Sequence, residues 1–138
     1  MDEVQTELTR SWVAKAASDL RSAELLASAK DALLDTAIYH CQQAAEKALK
    51  AYLFSKDVPF EKRHDIVRLV RQAEELDTRF AQFLEAARLL TPLAWQFRYP
   101  SEVPAGNPSR DQFREALGRA KAIYDFVLSA LPSESHPQ

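Results

Sequence analysis

Residues 37–51 read AIYHCQQAAEKALKA, and this stretch decides the fold. Within it and just beyond it, apolar side chains recur every three or four positions, which is the spacing of one face of an α-helix. This apolar stripe consists of Leu34, Ile38, Cys41, Ala45, Ala48, Leu49 and Tyr52. The pattern predicts an amphipathic helix that is capped at Asp31 and ends near Ser55. Such a helix needs neighbours against which to bury its apolar face.

Four further segments carry apolar residues at the same spacing, and they predict helices over about residues 9–30, 65–76, 78–91 and 109–131. Asp65 and Thr78 are expected N-caps, and Ser109 with Gln112 has the spacing of a capping box. Only two glycines occur in 138 residues, which excludes a turn-rich all-β fold. We therefore expect an all-α fold, an up-and-down antiparallel bundle of four to five helices.

Residues 1–138 are expected to form a single domain, with a core over about residues 10–131 and a frayed tail at 133–138. Residues 92–108 hold four prolines and are the one long irregular connection. Such connections in compact domains are often functional. This loop is therefore a place to look for a site.

Charge and cysteine content narrow the classes of function. The net charge of −2 excludes the broad positive field of a generic DNA-coating protein. Cys41 is the only cysteine, which excludes an internal disulfide and a thiolate metal cluster and favours a reducing compartment. The sequence has neither a secretory signal nor an apolar run of the roughly 20 residues that span a bilayer. We expect a cytoplasmic protein without a membrane segment.

The central helix also carries a cluster of polar residues. His40, Gln43, Lys47 and Lys50 are expected on the side opposite the apolar stripe, with Glu46 on the flank and four residues before Lys50. One interpretation is a solvated face with a weak ion pair. The wider stretch from Gln43 to Gln72 carries seven Lys/Arg against four acids, which allows either a patch that binds phosphate or a surface of salt bridges.

The tripeptide Arg98-Tyr99-Pro100 follows the fourth predicted helix and lies in the proline-rich loop. A guanidinium beside an aromatic ring could bind phosphate bidentately and stack on a base. Alternatively, Tyr99 plugs the end of the bundle while Arg98 caps helix carbonyls or pairs with Glu46 or Asp65. Both interpretations remain open at this point.

Other reactive residue types do not form a recognised catalytic pattern. His40, His64 and His136 lack metal-ligand spacing, so no metal or cofactor is expected. His64 precedes Asp65, which is better explained as a helix cap than as an acid–base pair. Cys41 falls in the apolar stripe and is expected to be a small buried hydrophobe.

Several of these segments, taken in order along the chain, resemble the HEPN domain family. They are Asp19-Leu20 with Ala23, the stretch at 37–51, His64-Asp65-Ile66 and Arg98-Tyr99-Pro100, and the match covers about residues 10–131. The resemblance implies an all-α bundle that usually forms a homodimer and a role tied to nucleotides or RNA. Small members similar to this chain are commonly paired with a minimal nucleotidyltransferase, often as a toxin–antitoxin system.

Many members of the family are metal-independent ribonucleases. Their motif is an arginine followed by a histidine, with four to six residues between the two. At the corresponding positions after Arg98 the sequence has Val103, Pro104 and Ala105, and after Arg110 it has Glu115, Ala116 and Leu117. The family's imidazole for acid–base catalysis is therefore missing. By resemblance, Glu46, Lys47, Lys50, Arg98 and Tyr99 form a nucleotide-facing or dimer-facing cluster, with Lys50 and Arg98 placed to bind a triphosphate.

These observations lead to one expectation and two alternatives. The expectation is a non-catalytic, homodimeric HEPN protein that binds a nucleotide or RNA end as the accessory or toxin-type subunit beside a nucleotidyltransferase. The first alternative is a metal-independent ribonuclease toxin in which Arg98 and either His40 or His64 assemble at the dimer interface. The second is a purely structural dimerisation module in which Lys47 and Lys50 make the dimer contact.

Overall fold

The computed structural model describes residues 1–61, 63–100 and 106–137, and within them the chain is helical with no β-strand. The α-helices are α1 (Glu3–Ser28), α2 (Leu34–Ser55), α3 (Ile66–Leu76), α4 (Leu84–Leu90) and α5 (Arg110–Ala130). Shorter 3₁₀ helices cover Thr78–Phe83, Thr91–Ala94 and Ser133–Ser135. The predicted all-α bundle of four to five helices is confirmed.

The central element of the bundle is α2. It packs most extensively against α1, and α5 and α3 also contact it. Fourteen of its 22 residues are buried, so its buried surface extends well beyond the single stripe seen in the sequence. Ala44, Ala45 and Ala48 on α2 are at most 1% exposed, as are Ala16 and Ala23 on α1. These small side chains allow neighbouring helices to approach closely.

Helix ends follow the capping signals in part. Asp65 caps α3 by accepting from the backbone N–H of Arg68 at 3.2 Å, and Ser109 with Gln112 forms the predicted capping box of α5. The cap predicted at Asp31 is wrong, because α2 begins at Leu34 without a side-chain cap. The first helix begins six residues earlier than predicted, at Glu3, because the Asp2 side chain supplies its N-cap.

The segment predicted as the fourth helix forms a 3₁₀ helix followed by a short α-helix. Residues Thr78–Phe83 are 3₁₀, with the Asp77 side chain as the cap, and only Leu84–Leu90 is α-helical. Pro92 then lies in the 3₁₀ helix Thr91–Ala94, which continues the chain toward the proline-rich loop. Residues 101–105 of that loop lie outside the described residues.

The C-terminal tail packs against the bundle, whereas the sequence predicts fraying from residue 133. Ser133–Ser135 forms a 3₁₀ helix and Ser135 is fully buried. Arg10 on α1 anchors this turn, because its Nε donates to the backbone oxygen of Glu134 at 3.0 Å. Gln138 lies outside the described residues. No helix in the described part of the chain combines the length and the apolarity that crossing a bilayer requires.

Candidate functional site

The polar residues of α2 are more deeply buried than the sequence predicts. Glu46 is 3% exposed, and Gln43 and Lys50 are each 8% exposed. A solvated polar face is therefore wrong for Gln43 and Lys50, because α2 is covered on several sides by its neighbours. His40 and Lys47 are half-buried, with about a quarter of each side chain exposed, 27% and 25%. Of the four residues in the predicted polar cluster, His40 and Lys47 are therefore the two that keep exposed surface for a ligand.

The first polar cluster joins α1 to α2 through the carboxylate of Asp19. Its Oδ1 lies 2.7 Å from Nδ1 of His40, and its Oδ2 lies 2.7 Å from Nζ of Lys47. His40 and Lys47 are seven residues apart, which places them two turns apart on the same side of α2. An ionised carboxylate only accepts hydrogen bonds, so Nδ1 of His40 is the donor to Asp19, and Nε2 is the ring nitrogen that does not face this carboxylate.

Asp19 itself is absent from the predicted site, although it belongs to the residues that resemble the HEPN family. A signal for it does exist, because Asp19 falls among the apolar positions Ala16, Leu20 and Ala23 of α1. A carboxylate that is predicted to face the core of a bundle needs a cation or a donor as its partner.

The second cluster surrounds the carboxylate of Glu46. His64 Nδ1 lies 2.8 Å from Oε1 of Glu46, and Lys50 Nζ lies 3.7 Å from its Oε2. The Lys50 ammonium also lies 5.9 Å from the ring centroid of Trp12 and 5.4 Å from that of Phe60. Lys50 is thus held between a carboxylate and two aromatic rings.

Arg98 lies over the ring of Tyr39, with 4.1 Å between its Cζ and the ring centroid. Its Nη1 donates to the backbone oxygen of Ala94 at 3.1 Å, so the interpretation of Arg98 as a cap for helix carbonyls is confirmed. The proposed plug is wrong, because Tyr99 is 63% exposed. Arg98 makes no ion pair with Glu46 or Asp65 within the described residues.

The predicted residues do not converge on one point. Tyr39 and Lys50 are eleven residues apart on α2, a separation of about 16 Å along the helix axis. Lys50 is also occupied by Glu46 and the two rings, so Lys50 and Arg98 do not meet at a common phosphate. Glu46 and Lys50 therefore serve a structural cluster rather than an open surface.

Arg98 lies instead near the Asp19 cluster. The Tyr39 ring is 5.8 Å from the His40 ring and 4.1 Å from Arg98 Cζ, so the imidazole and the guanidinium carbon are no more than about 10 Å apart. We use the name Arg98 surface for Tyr39, His40, Lys47, Arg98 and Tyr99. The guanidinium of Arg98 and the exposed ring of Tyr99, with the Lys47 ammonium farther along α2, suit a phosphorylated aromatic ligand.

Two other kinds of chemistry find no support among the described residues. Burial raises the pKa of the Cys41 thiol to about 12, which removes it as a nucleophile. Within residues 1–61, 63–100 and 106–137, no group of three or more His, Cys, Asp or Glu side chains is placed to hold a metal ion. Positions 103–105, where the ribonuclease motif would place its histidine after Arg98, lie outside the described residues.

Comparison with known proteins gives a consistent result. The model of the HEPN domain family matches residues 9–131. Among solved structures, TT1696 from Thermus thermophilus is 31% identical and superimposes with a TM-score of 0.78, covering 89% of this chain and 98% of that one. ST0689, described as an archaeal HEPN homologue, is 25% identical with a TM-score of 0.70, covering 88% and 96% of the two chains. No curated protein matches the sequence at a significant level.

Proposed function

This chain belongs to the HEPN domain family, and from that premise we propose that it binds a nucleotide or an RNA end on the Arg98 surface. One observation carries the proposal, namely the exposed guanidinium of Arg98 lying 4.1 Å over the ring of Tyr39. Its contacts with the Tyr39 ring and with the backbone oxygen of Ala94 restrain the guanidinium, and the N–H groups not used by Ala94 can donate to phosphate oxygens. Tyr99, which is 63% exposed, offers a ring on which a base can stack.

Lys47 and His40 extend this surface. The Lys47 ammonium is held 2.7 Å from Asp19, and a quarter of its side chain stays exposed and can attract a further phosphate oxygen. Glu46 and Lys50 pair with each other on α2, and Glu46 also contacts His64 in the segment before α3. In this proposal Lys47, Arg98 and Tyr99 contact the ligand, and Glu46 and Lys50 belong to the separate structural cluster farther along α2.

The proposed setting is a cytoplasmic homodimer that acts as the accessory or toxin-type subunit of a two-component system with a minimal nucleotidyltransferase. Resemblance to small members of the family supports this setting, and the bound nucleotide or RNA end would be presented to the partner enzyme. Co-expression with a nucleotidyltransferase encoded next to this chain is the direct test. A stable complex supports the pairing, and separate elution of the two proteins argues against it.

Isothermal titration with a panel of nucleotides and short RNAs tests the binding itself. Arg98→Ala should abolish binding, whereas Arg88→Ala, which removes an exposed arginine on α4, should leave it unchanged. Unaltered binding by Arg98→Ala would exclude this surface. A blank titration with every member of the panel would leave the dimerisation module as the better interpretation.

The Asp19–His40 pair favours a second candidate, a metal-independent ribonuclease. With Nδ1 of His40 donating to Asp19 at 2.7 Å, Nε2 could accept the proton of a ribose 2′-OH. The 2′-oxygen would then attack the phosphorus held by Arg98, forming the 2′,3′-cyclic phosphate, and the departing 5′-oxygen would take a proton from water. RNA cleavage without added metal that is lost in both Arg98→Ala and His40→Asn would support this candidate. Cleavage that survives Arg98→Ala would reject it.

A further inference from the structure

A further aromatic residue, Trp95, lies at the edge of the Arg98 surface. It directly follows the 3₁₀ helix Thr91–Ala94, and 53% of the residue is exposed. Among the described residues it takes part in no ring pair and no cation–π contact. Trp12, in contrast, packs against the core and pairs with the ring of Phe60. Trp95 is therefore the tryptophan that is available to a ligand.

The backbone places Trp95 next to Arg98. The N–H of Arg98 donates to the backbone oxygen of Trp95 at 3.1 Å, which closes a turn over residues 95–98. The Cα atoms at the two ends of such a turn are less than about 7 Å apart. Tyr99 is the next residue, and its ring centroid lies 5.2 Å from Cζ of Arg98. The Cα atoms of Trp95 and Tyr99, both more than half exposed, are therefore at most about 11 Å apart.

Two exposed aromatic residues beside one guanidinium match the repeat of a single nucleic-acid strand. Unpaired bases stack on aromatic side chains, and each phosphate joins two nucleosides. Neighbouring nucleotides are about 3.4 Å apart along a stacked strand, and farther apart when the strand is extended. Trp95 and Tyr99 are close enough to receive neighbouring bases while Arg98 pairs with the phosphate between them. A mononucleotide has one base and would leave one of the two rings unused.

The local charge favours a nucleic acid over a protein as the ligand of these rings. Arg98 is the only charged residue in the segment from Thr91 to Pro100. Exposed aromatic residues beside a cation suit a polyanion with flat bases. We propose that the Arg98 surface binds a single-stranded RNA end of at least two nucleotides, and that Trp95 stacks on the second base. This inference rests on the proposed function and adds the length of the ligand to it.

Isothermal titration with ADP and the dinucleotide pApA tests the contribution of the second base. Both probes carry two phosphate groups, but they differ in the number of bases. We expect pApA to bind at least about fivefold more tightly than ADP, which is the lower end of the effect of stacking one base on an aromatic side chain. Trp95→Leu keeps an apolar side chain without the ring and should remove most of this difference. Trp95→Phe keeps a ring and should retain most of it.

Tryptophan fluorescence gives a second readout that a merely structural role of Trp95 would not produce. The chain has two tryptophans, and Trp95 is the exposed one. A base that stacks on an indole quenches its emission. Saturating pApA should therefore quench the unmodified chain and have little effect on Trp95→Phe. Unchanged emission of the unmodified chain at saturating pApA would overturn the contact between Trp95 and a base.

The remaining outcomes separate this inference from the proposed function. If pApA and ADP bind equally, or if Trp95→Leu weakens both by the same factor, the site for a second base is overturned and binding on the Arg98 surface stands. If Trp95→Leu keeps the preference for pApA but sediments as a smaller species than the unmodified chain, Trp95 lies at a protein contact and the inference is overturned. If neither probe binds and short RNAs do not bind either, the proposed function fails together with this inference.

Discussion

Asp19 on α1 and His40 on α2 are joined by a hydrogen bond of 2.7 Å between Oδ1 and Nδ1, across the most extensive helix interface in the bundle. The same carboxylate holds Lys47 at 2.7 Å through its other oxygen. One buried acid thus fixes two polar side chains that face the surface, and it does so from a different helix. The cluster therefore ties the packing of α1 on α2 to the shape of the candidate site.

Replacing Asp19 by asparagine should destabilise the fold. The amide keeps the shape but removes the charge, leaving Lys47 without its counter-ion and His40 with at best one weaker bond. About a quarter of each partner's side chain is exposed to solvent. Water can therefore solvate the groups left unpaired, which limits the loss to roughly 1–3 kcal/mol of unfolding free energy. Urea denaturation measures this. Asp111→Asn, at a carboxylate that is 95% exposed, should cause no measurable change.

Cys41 should resist thiol reagents in the folded protein. Burial raises its pKa to about 12, so at pH 8 almost no thiolate forms until the chain unfolds. Because the charged form is disfavoured in the folded state, this group contributes stability that is present below the pKa of the unfolded thiol, near 9, and is lost as pH rises toward 12. Alkylation at pH 8 with and without denaturant is the measurement. Rapid labelling of native protein would contradict the burial.

Leu49 should be one of the most sensitive core positions. Its side chain is fully buried on α2, and truncation would leave a cavity where α2 meets its neighbours. We expect Leu49→Ala to lower the unfolding free energy by about 2–5 kcal/mol. Leu25 is 57% exposed, and its replacement by alanine should change stability very little. Equal losses in the two variants would show that α2 is not the centre of the core.

The helices and the site differ in how far the sequence predicts them. Periodicity predicts the helices because each apolar face is a local pattern, and Asp65 and Ser109 have local capping partners. The pairing of Asp19 with His40 depends on which helix lies next to α2, and no local pattern encodes that choice. Likewise, one apolar stripe cannot show that a second neighbour covers Lys50, and so its burial is missed.

The ring of Tyr39 should matter for ligand binding although it does not carry charge. Its centroid lies 4.1 Å from Cζ of Arg98, so the ring makes a cation–π contact with the guanidinium. Tyr39→Leu should weaken nucleotide binding about fivefold to tenfold, in line with the energy of a cation–π contact. Tyr39→Phe keeps the ring and should bind almost normally. Titration of both variants is the measurement, and equal loss in the two would mean that the hydroxyl rather than the ring is required.

The Lys50→Glu variant distinguishes two roles for Lys50, as a buried member of the Glu46 cluster or as a surface residue that makes a dimer contact. The new carboxylate would lie close to Glu46, which is 3% exposed, and between the rings of Trp12 and Phe60 in place of a cation. The substitution removes the ammonium that pairs with Glu46 and adds a second buried carboxylate beside it. We expect this to lower the unfolding free energy by roughly 3–5 kcal/mol.

The control for this variant is Lys50→Met, which keeps the aliphatic stem between the two rings and leaves Glu46 with His64. We expect it to retain more stability than Lys50→Glu, because it adds no second negative charge beside Glu46. Urea denaturation and sedimentation of both variants are the measurements. If Lys50→Glu unfolds like the unmodified chain but sediments as a smaller species, Lys50 lies at a dimer contact and the buried cluster around Glu46 is wrong.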